Sequence, residues 1–221
     1  MSSPSDSTQP TFAWYGKLPG AGDFVSRRMA WRSQQLWDQW LASGLEQLKA
    51  LTGEGGWTVW RSMPAWGFIL PAGVTGESAQ IGLIVPSADR VGRVFPFLVV
   101  LPMADASSTR HWLLHAGPIV LAWFDVISTA LRERQAIDVV DARLDEALDA
   151  AKRLPAAELD PEVTLPPEVS NRVLPWPDLT ETFDPLGRES YWWSVPPAST
   201  GFRARTYSGM LTAAHFCALS Q

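Results

Sequence analysis

The sequence QIGLIVPSADRVGRVFPFLVVL, residues 80–101, places a charged, glycine-containing turn between two apolar runs. The run Gln80–Val85 is rich in β-branched residues, and Val94–Leu101 is almost continuously apolar, as expected for a strand buried on both faces. The turn that joins them holds Asp89, Arg90, Gly92 and Arg93. We therefore predict two neighbouring strands of one sheet, joined by a turn that is either a hairpin tip or a binding site.

Further strands and helices are indicated on both sides of this pair. β-like runs occur at Phe12–Tyr15, Trp57–Arg61, Trp66–Leu70, Ser190–Val195 and Arg203–Tyr207. Apolar residues with helical spacing predict helices at about residues 31–51, 109–134 with a kink or restart at Pro118, 138–154 and 210–219. Because strands follow one another without regular βαβ alternation, we predict a layered, mixed α/β domain with a mostly antiparallel sheet.

The length of 221 residues fits one domain with a substantial core. Residues 1–10 are polar and rich in Ser and Pro, so we predict a disordered tail followed by a single domain over residues 11–221. Within that domain, residues 155–189 hold seven of the 18 prolines and show no sustained period. We expect this segment to be an extended connector.

Charge and composition exclude several partner classes. The formal net charge of −5 gives no broad attraction to nucleic acid or anionic lipid. The amino terminus lacks the features of a secretory signal, and the run Val94–Leu101, interrupted by Pro96, is too short to span a bilayer. Cys217 is the sole cysteine, so no disulfide forms within the chain. We expect a cytoplasmic protein that binds no nucleic acid and does not insert into a membrane.

No arrangement of residues indicates catalysis. The segment Gly16–Asp23 superficially resembles a phosphate loop, but it lacks the Gly-Lys-Ser/Thr ending. A structural turn, in which Asp23 caps a following turn or pairs with a basic residue, is therefore favoured. His111 and His115 have metal-ligand spacing without a convincing third ligand. We therefore predict a binding protein rather than an enzyme, with no cofactor and no metal.

The charged residues of the two glycine-rich turns allow two interpretations. In the first, Arg90 and Arg93 form an anion clamp, together with Lys17 or Arg27. In the second, Asp23 and Asp89 neutralise the basic residues in a network that holds the turns, which the balance of acids and bases favours. Gly22 and Gly92 are predicted to meet positive-φ or close-packing demands.

The same turns resemble a known family. The resemblance is carried by Trp14–Pro19, Gly22–Val25 and Arg27, by Pro86–Ser87, Asp89–Arg93 and Phe95–Pro96, and by the later Ser190–Trp193. These residues are similar to the TagF (ImpM) family of type VI secretion system-associated proteins. Its motif residues correspond here to the structural positions Gly16, Pro19, Gly22, Gly92, Trp192 and Trp193.

The resemblance implies a three-layer α/β/α sandwich and a cytoplasmic, non-enzymatic accessory protein. Such a protein restrains the type VI secretion machine after translation by contacting another component, notably the forkhead-associated scaffold protein. The alternative is a sensor or enzyme that holds a phosphoryl group or phosphopeptide with the basic turns. Under either interpretation the residues concerned are Lys17, Asp23, Arg27, Asp89, Arg90 and Arg93.

Overall fold

The architecture is an antiparallel sheet with helices on both faces, seen in a computed structural model that describes residues 11–53, 56–103, 106–154, 174–195 and 203–220. The strands are β1 (Ala13–Gly16), β2 (Val25–Arg27), β3 (Ala65–Leu70), β4 (Ala79–Val85), β5 (Phe97–Met103), β6 (Glu189–Val195) and β7 (Ala204–Ser208). The helices are α1 (Trp31–Thr52), α2 (Gly56–Ser62), α3 (Ala106–Glu133), α4 (Ile137–Lys152), α5 (Leu179–Thr182) and α6 (Ala213–Leu219).

The seven strands form one sheet in the order β2-β1-β5-β4-β3-β6-β7, and neighbouring strands pair antiparallel throughout. The predicted α/β class with an antiparallel sheet is confirmed. The protein has two hydrophobic cores, one on each face of the sheet. Strands β4 and β5 contribute buried side chains to both cores, as their continuous apolar sequences predicted.

Helices α3 and α4 cover one face of the sheet. Val140, Leu144 and Leu148 of α4 are buried against α3, and the indole N–H of Trp123 donates to the Leu144 carbonyl at 3.2 Å. By length and composition, Thr109–Glu133 is long and apolar enough to cross a membrane. Its apolar stripe is buried against the sheet and α4, so here it serves as a core helix.

Helices α1, α2 and α6 cover the opposite face. Trp37 and Trp40 of α1 pack against Phe68 and Trp192 of the sheet, and Phe216 of α6 packs on Trp40. These rings form the centre of the second core. Because helices lie on both faces, the fold is compatible with the three-layer α/β/α sandwich.

Several sequence-based boundaries are wrong. The run Trp57–Arg61 was expected to be a strand but lies in the helix α2. Its aromatic and β-branched residues suggested a strand, whereas Trp60 and Met63, three residues apart, are buried together as on one face of a helical turn. The strand expected at Val94 begins at Phe97, and Val94 only forms an isolated bridge with Ala88.

The predicted tail and much of the predicted proline-rich connector lie outside the described residues. The proposed disordered tail, residues 1–10, lies outside them, as do residues 155–173 of the predicted connector. The described remainder of that connector includes the short helix α5. Helix α6 begins at Ala213 rather than Met210, because Thr212 caps it in a capping box with His215.

Candidate functional site

The two glycine-rich turns meet at one end of the sheet. Residues 17–24 leave the end of β1, and residues 86–96 connect β4 to β5. Gly16, at the end of β1, pairs with Phe97 at the start of β5. Val85, at the end of β4, pairs with Phe97 from the other side. Antiparallel pairing of β1, β5 and β4 therefore places both turns side by side.

Close backbone packing joins the two turns at their base. A Cβ built on Gly16 would lie 2.0 Å from the Pro96 carbonyl oxygen, so only glycine fits there. The Lys17 N–H donates to that same oxygen at 3.4 Å. The Ser87 hydroxyl in turn donates to the Lys17 carbonyl at 2.6 Å, which ties the second turn to the first.

Asp89 is the centre of a charged cluster between the turns. Its buried carboxylate lies 3.2 Å from the Lys17 ammonium and 2.7 Å from Nε of Arg93. The other carboxylate oxygen accepts the backbone N–H groups of Val91 and Arg93 at 3.1 and 2.9 Å. A buried carboxylate is stable when it is paired and hydrogen-bonded in this way.

The pKa of Asp89 reports how these contacts act on the carboxyl group. Burial by itself raises the pKa, but the hydrogen bonds from Arg93 and the contact with Lys17 outweigh burial and lower the pKa from 3.8 to about 2. The carboxylate is therefore charged at neutral pH. It neutralises Lys17 and Arg93, two of the basic residues that the sequence also allowed to form an anion clamp.

The arginines of the second turn also hold the first turn. The Arg93 guanidinium donates to the Gly22 carbonyl at 2.7 Å, and the Arg90 backbone N–H donates to the Ala21 carbonyl at 2.8 Å. The Arg90 guanidinium is exposed and forms no ion pair within the described part of the chain. Lys17, Asp89 and Arg93 thus act as a structural network, and Arg90 remains accessible.

The outer side of the paired turns combines apolar and basic side chains. Phe24 is 44% exposed and Val91 is 71% exposed. The ring of Phe24 stacks on Tyr15 and meets Phe95 edge-on, at centroid distances of 5.6 and 4.8 Å. We call the exposed residues of both turns, Asp23, Phe24, Arg90, Val91 and Arg93, the two-turn surface.

Two residues expected in the charged cluster are not part of it. The Asp23 carboxylate accepts the neighbouring Phe24 N–H at 2.8 Å and forms no ion pair among the described residues. Arg27 is the last residue of β2, and its guanidinium pairs with Asp138 of α4 at 3.0 Å. Asp23 still borders the two-turn surface, whereas Arg27 belongs to a separate contact.

Gly92 meets the first of the two demands predicted for the turn glycines, a positive φ, and Gly22 meets the second, close packing. Gly92 has a φ of 88°, and such a left-handed conformation favours glycine. Gly22 has no positive φ, and a Cβ added to it would meet only the flexible Arg90 guanidinium, at 3.1 Å. Its role is therefore to leave space for Arg90 rather than to relieve backbone strain.

The paired tryptophans of β6 lie in the two cores and not on a surface. Trp192 packs on Phe68 at 5.0 Å between ring centroids, and its indole N–H donates to Ser190 at 3.0 Å. Trp193 faces the opposite core, next to Gly67. The turn residue Pro19, likewise assigned a structural role, is partly buried beside Leu18 in the first turn.

Sequence reasoning missed the ion pair that holds the first hairpin to α4. Arg28 donates to the Asp141 carboxylate at 2.9 Å, and the Trp14 indole N–H donates to it at 2.7 Å. Hydrogen bonding from Arg28 lowers the pKa of Asp141. The partners are far apart in sequence and show no local pattern, although the positive φ of 55° at Arg28 marks it as unusual in the structure.

The histidines show no metal site. Both ring nitrogens of His115 lie next to backbone carbonyl oxygens. Nδ1 is 2.8 Å from the His111 oxygen, and Nε2 is 3.2 Å from the Leu154 oxygen. Among the residues that the structure describes, no group of three metal-ligating side chains occurs.

These features define an α/β domain with an antiparallel sheet whose sequence signature lies in two turns packed on each other. The family model described as TagF N-terminal domain, Type VI secretion system-associated, matches residues 13–150. That match spans more than half of the chain and includes both turns. The chain belongs to the TagF family of type VI secretion system-associated proteins.

A solved structure supports the fold over nearly the whole length. The crystal structure of PA0076 from Pseudomonas aeruginosa PAO1 is similar, with 26% sequence identity and a TM-score of 0.64. The similarity covers 96% of this chain and 94% of that one. A search of curated proteins finds no match.

Proposed function

We propose that this chain is a non-enzymatic, cytoplasmic regulator that represses the type VI secretion machine after translation by binding one of its components. The forkhead-associated scaffold protein is the partner we expect. Family membership supports the link to type VI secretion. The two-turn surface carries the proposal of a binding function.

The composition and rigidity of this surface suit a protein contact. Aromatic residues and arginine are enriched at binding hot spots, and here Phe24 and Arg90 are both exposed. The buried Asp89 holds both turns in place before a partner arrives, so little conformational entropy is lost on binding. A pre-organised surface of this kind requires no catalytic group.

The first experiment compares secretion in strains of the source bacterium. Deletion of the gene is expected to derepress type VI secretion, and overproduction is expected to silence it. If secretion is unchanged in both strains while the protein is present and folded, the repressor function is wrong.

A second experiment tests the surface itself. Val91→Asp and Arg90→Ala are expected to abolish binding of the forkhead-associated protein in a pull-down while the melting temperature stays within about 2 °C of wild type. Leu186→Asp and Arg110→Ala are matched controls, because both residues are exposed and lie at the opposite end of the sheet. Equal loss of binding in the controls, or full binding by Val91→Asp, contradicts the role of the surface.

A second candidate function is binding of a phosphoryl group or phosphopeptide. The exposed Arg90 guanidinium, without an ion pair within the described part of the chain, favours it. The side chain of Lys17 is only 7% exposed and already faces Asp89, which weighs against a three-residue clamp. Calorimetric titration with inorganic phosphate and a phosphothreonine peptide tests this candidate, and no heat of binding at millimolar ligand argues against it.

A further inference from the structure

A cavity of about 600 Å³ lies at the end of the sheet opposite the two-turn surface. It is bounded by the first turn of α1, by the loop between β3 and β4, and by Pro102 of β5. Strand β4 begins beside the cavity and ends beside the two-turn surface, so the two sites are separated by roughly 20 Å. The volume is within the range of small-molecule sites, about 300–1,000 Å³.

The first turn of α1 presents unused hydrogen-bond donors to this cavity. Ala30, at the N-cap, offers no side-chain cap, and the first turn contains no acidic residue. Backbone N–H groups at such an end carry a partial positive charge that favours an anion. Arg32 and Ser33, which both line the cavity, donate no side-chain hydrogen bond within the described part of the chain.

A buried glutamine amide gives independent support for a ligand. Gln80 is only 4% exposed, and its Oε1 accepts the Thr75 hydroxyl at 3.0 Å. Gln80 lines the same cavity, and its Nε2 donates to no acceptor among the described residues. Nε2 is not one of the fully buried atoms that lack a partner, so it is accessible from the cavity, where an oxygen atom of a ligand can accept its N–H.

The remaining walls restrict the kind of molecule that fits. Ala30, Leu36 and Pro102 contribute apolar surface. Glu77 also lines the cavity, and neither Glu77 nor Arg32 forms an ion pair within the part of the chain that the structure describes, so the two charges stay open to a ligand. One acid next to one base disfavours a dianion and accommodates a single carboxylate, with or without an ammonium group.

We propose that this cavity is a binding site for a small carboxylate with an apolar body, of the kind that an apolar α-amino acid presents. The carboxylate lies at the first turn of α1, where Arg32, Ser33 and the Gln80 amide donate to it. The apolar body packs on Leu36 and Pro102, and Glu77 pairs with the amino group when one is present.

The test titrates the full-length protein with leucine, 4-methylvalerate and isoamylamine by calorimetry and saturation-transfer NMR. The first two probes carry the carboxylate and the third lacks it. We expect both carboxylates to bind and the amine not to bind. Absence of binding by both carboxylates at about 10 mM, or equal binding of the amine, overturns the proposal.

Ser33→Asp separates binding from folding. An acid in the first turn of α1 stabilises the helix but repels a bound carboxylate, so the melting temperature should not fall while affinity drops by about tenfold or more. Gln47→Glu is the control, because it adds the same charge at an exposed position of α1 outside the cavity. Arg32→Gln, at an exposed position, provides a second variant that should also weaken binding severalfold. Wild-type affinity in both cavity variants contradicts the site.

Discussion

Gly16→Ala tests whether the first motif serves the fold itself. The added Cβ would lie 2.0 Å from the carbonyl oxygen of Pro96, the residue before β5, and 2.9 Å from the Cα of Phe97, the first residue of β5. Both are backbone atoms, which cannot move aside as a flexible side chain can. Relief of this contact requires β1 and β5 to separate by about 1 Å, which costs about 1–3 kcal/mol as overpacking. Loss of the bond from the Lys17 N–H adds about 1 kcal/mol. We therefore expect the close contact to cost about 2–4 kcal/mol in the free energy of unfolding, in addition to the backbone strain of an alanine at the Gly16 φ of 140°.

Urea unfolding followed by tryptophan fluorescence measures this change, and a thermal melt should show a decrease of roughly 4–16 °C. Gly92→Ala is the matched control, because Gly92 has a φ of 88° but no atom within 4 Å of an added Cβ. Its cost is backbone strain alone, about 1–2 kcal/mol. If Gly16→Ala unfolds within about 0.5 kcal/mol of wild type, the close contact between β1 and β5 is refuted.

Three further perturbations test the turns and their attachment. Gly22→Ala should leave the melting temperature within about 2 °C of wild type, because the added Cβ meets only the movable Arg90; a larger loss would show hidden backbone strain. Asp89→Asn should lower the urea midpoint at neutral pH. Since the folded pKa of Asp89 is about 2 against an ordinary 3.8, its stabilisation is complete above about pH 4 and is lost as the pH falls toward 2. The difference in urea midpoint between wild type and Asp89→Asn should shrink over that interval, and a constant difference would contradict the assigned ion cluster. Asp141→Ala removes the acceptor of Arg28 and Trp14 and should cost about 1–2 kcal/mol by urea unfolding, whereas an unchanged midpoint would show that this surface ion pair does not hold α4.

Much of the core could be predicted from periodicity. Trp37, Leu41, Leu45 and Leu48 of α1 are all buried, because side chains three and four residues apart share one face of a helix. The same rule identified the buried stripe of α4. Residue type was a poorer guide than periodicity: the aromatic and β-branched residues of Trp57–Arg61 predicted a strand but form a short helix, since tertiary packing outweighs weak local propensity.

The candidate site could be predicted only in part. Arg93 and Asp89 are close in sequence, and their pairing follows from the tight turn centred on Gly92. The partner of Lys17, by contrast, depends on β1 and β4 both lying beside β5. The cavity under α1 has no sequence signal at all, because its walls come from three separate elements.

Residue types and their spacing were enough to identify the two glycine-rich turns as the distinctive feature of this protein and to relate them to the TagF family. Which charges neutralise each other, and which remain exposed, could be read only from the fold. Asp89 is shared by Lys17 and Arg93, whereas Asp23 and Arg27 face other directions. The reason is physical: residue types and local spacing fix turns and amphipathic faces, but electrostatic pairing depends on distances that strand register sets.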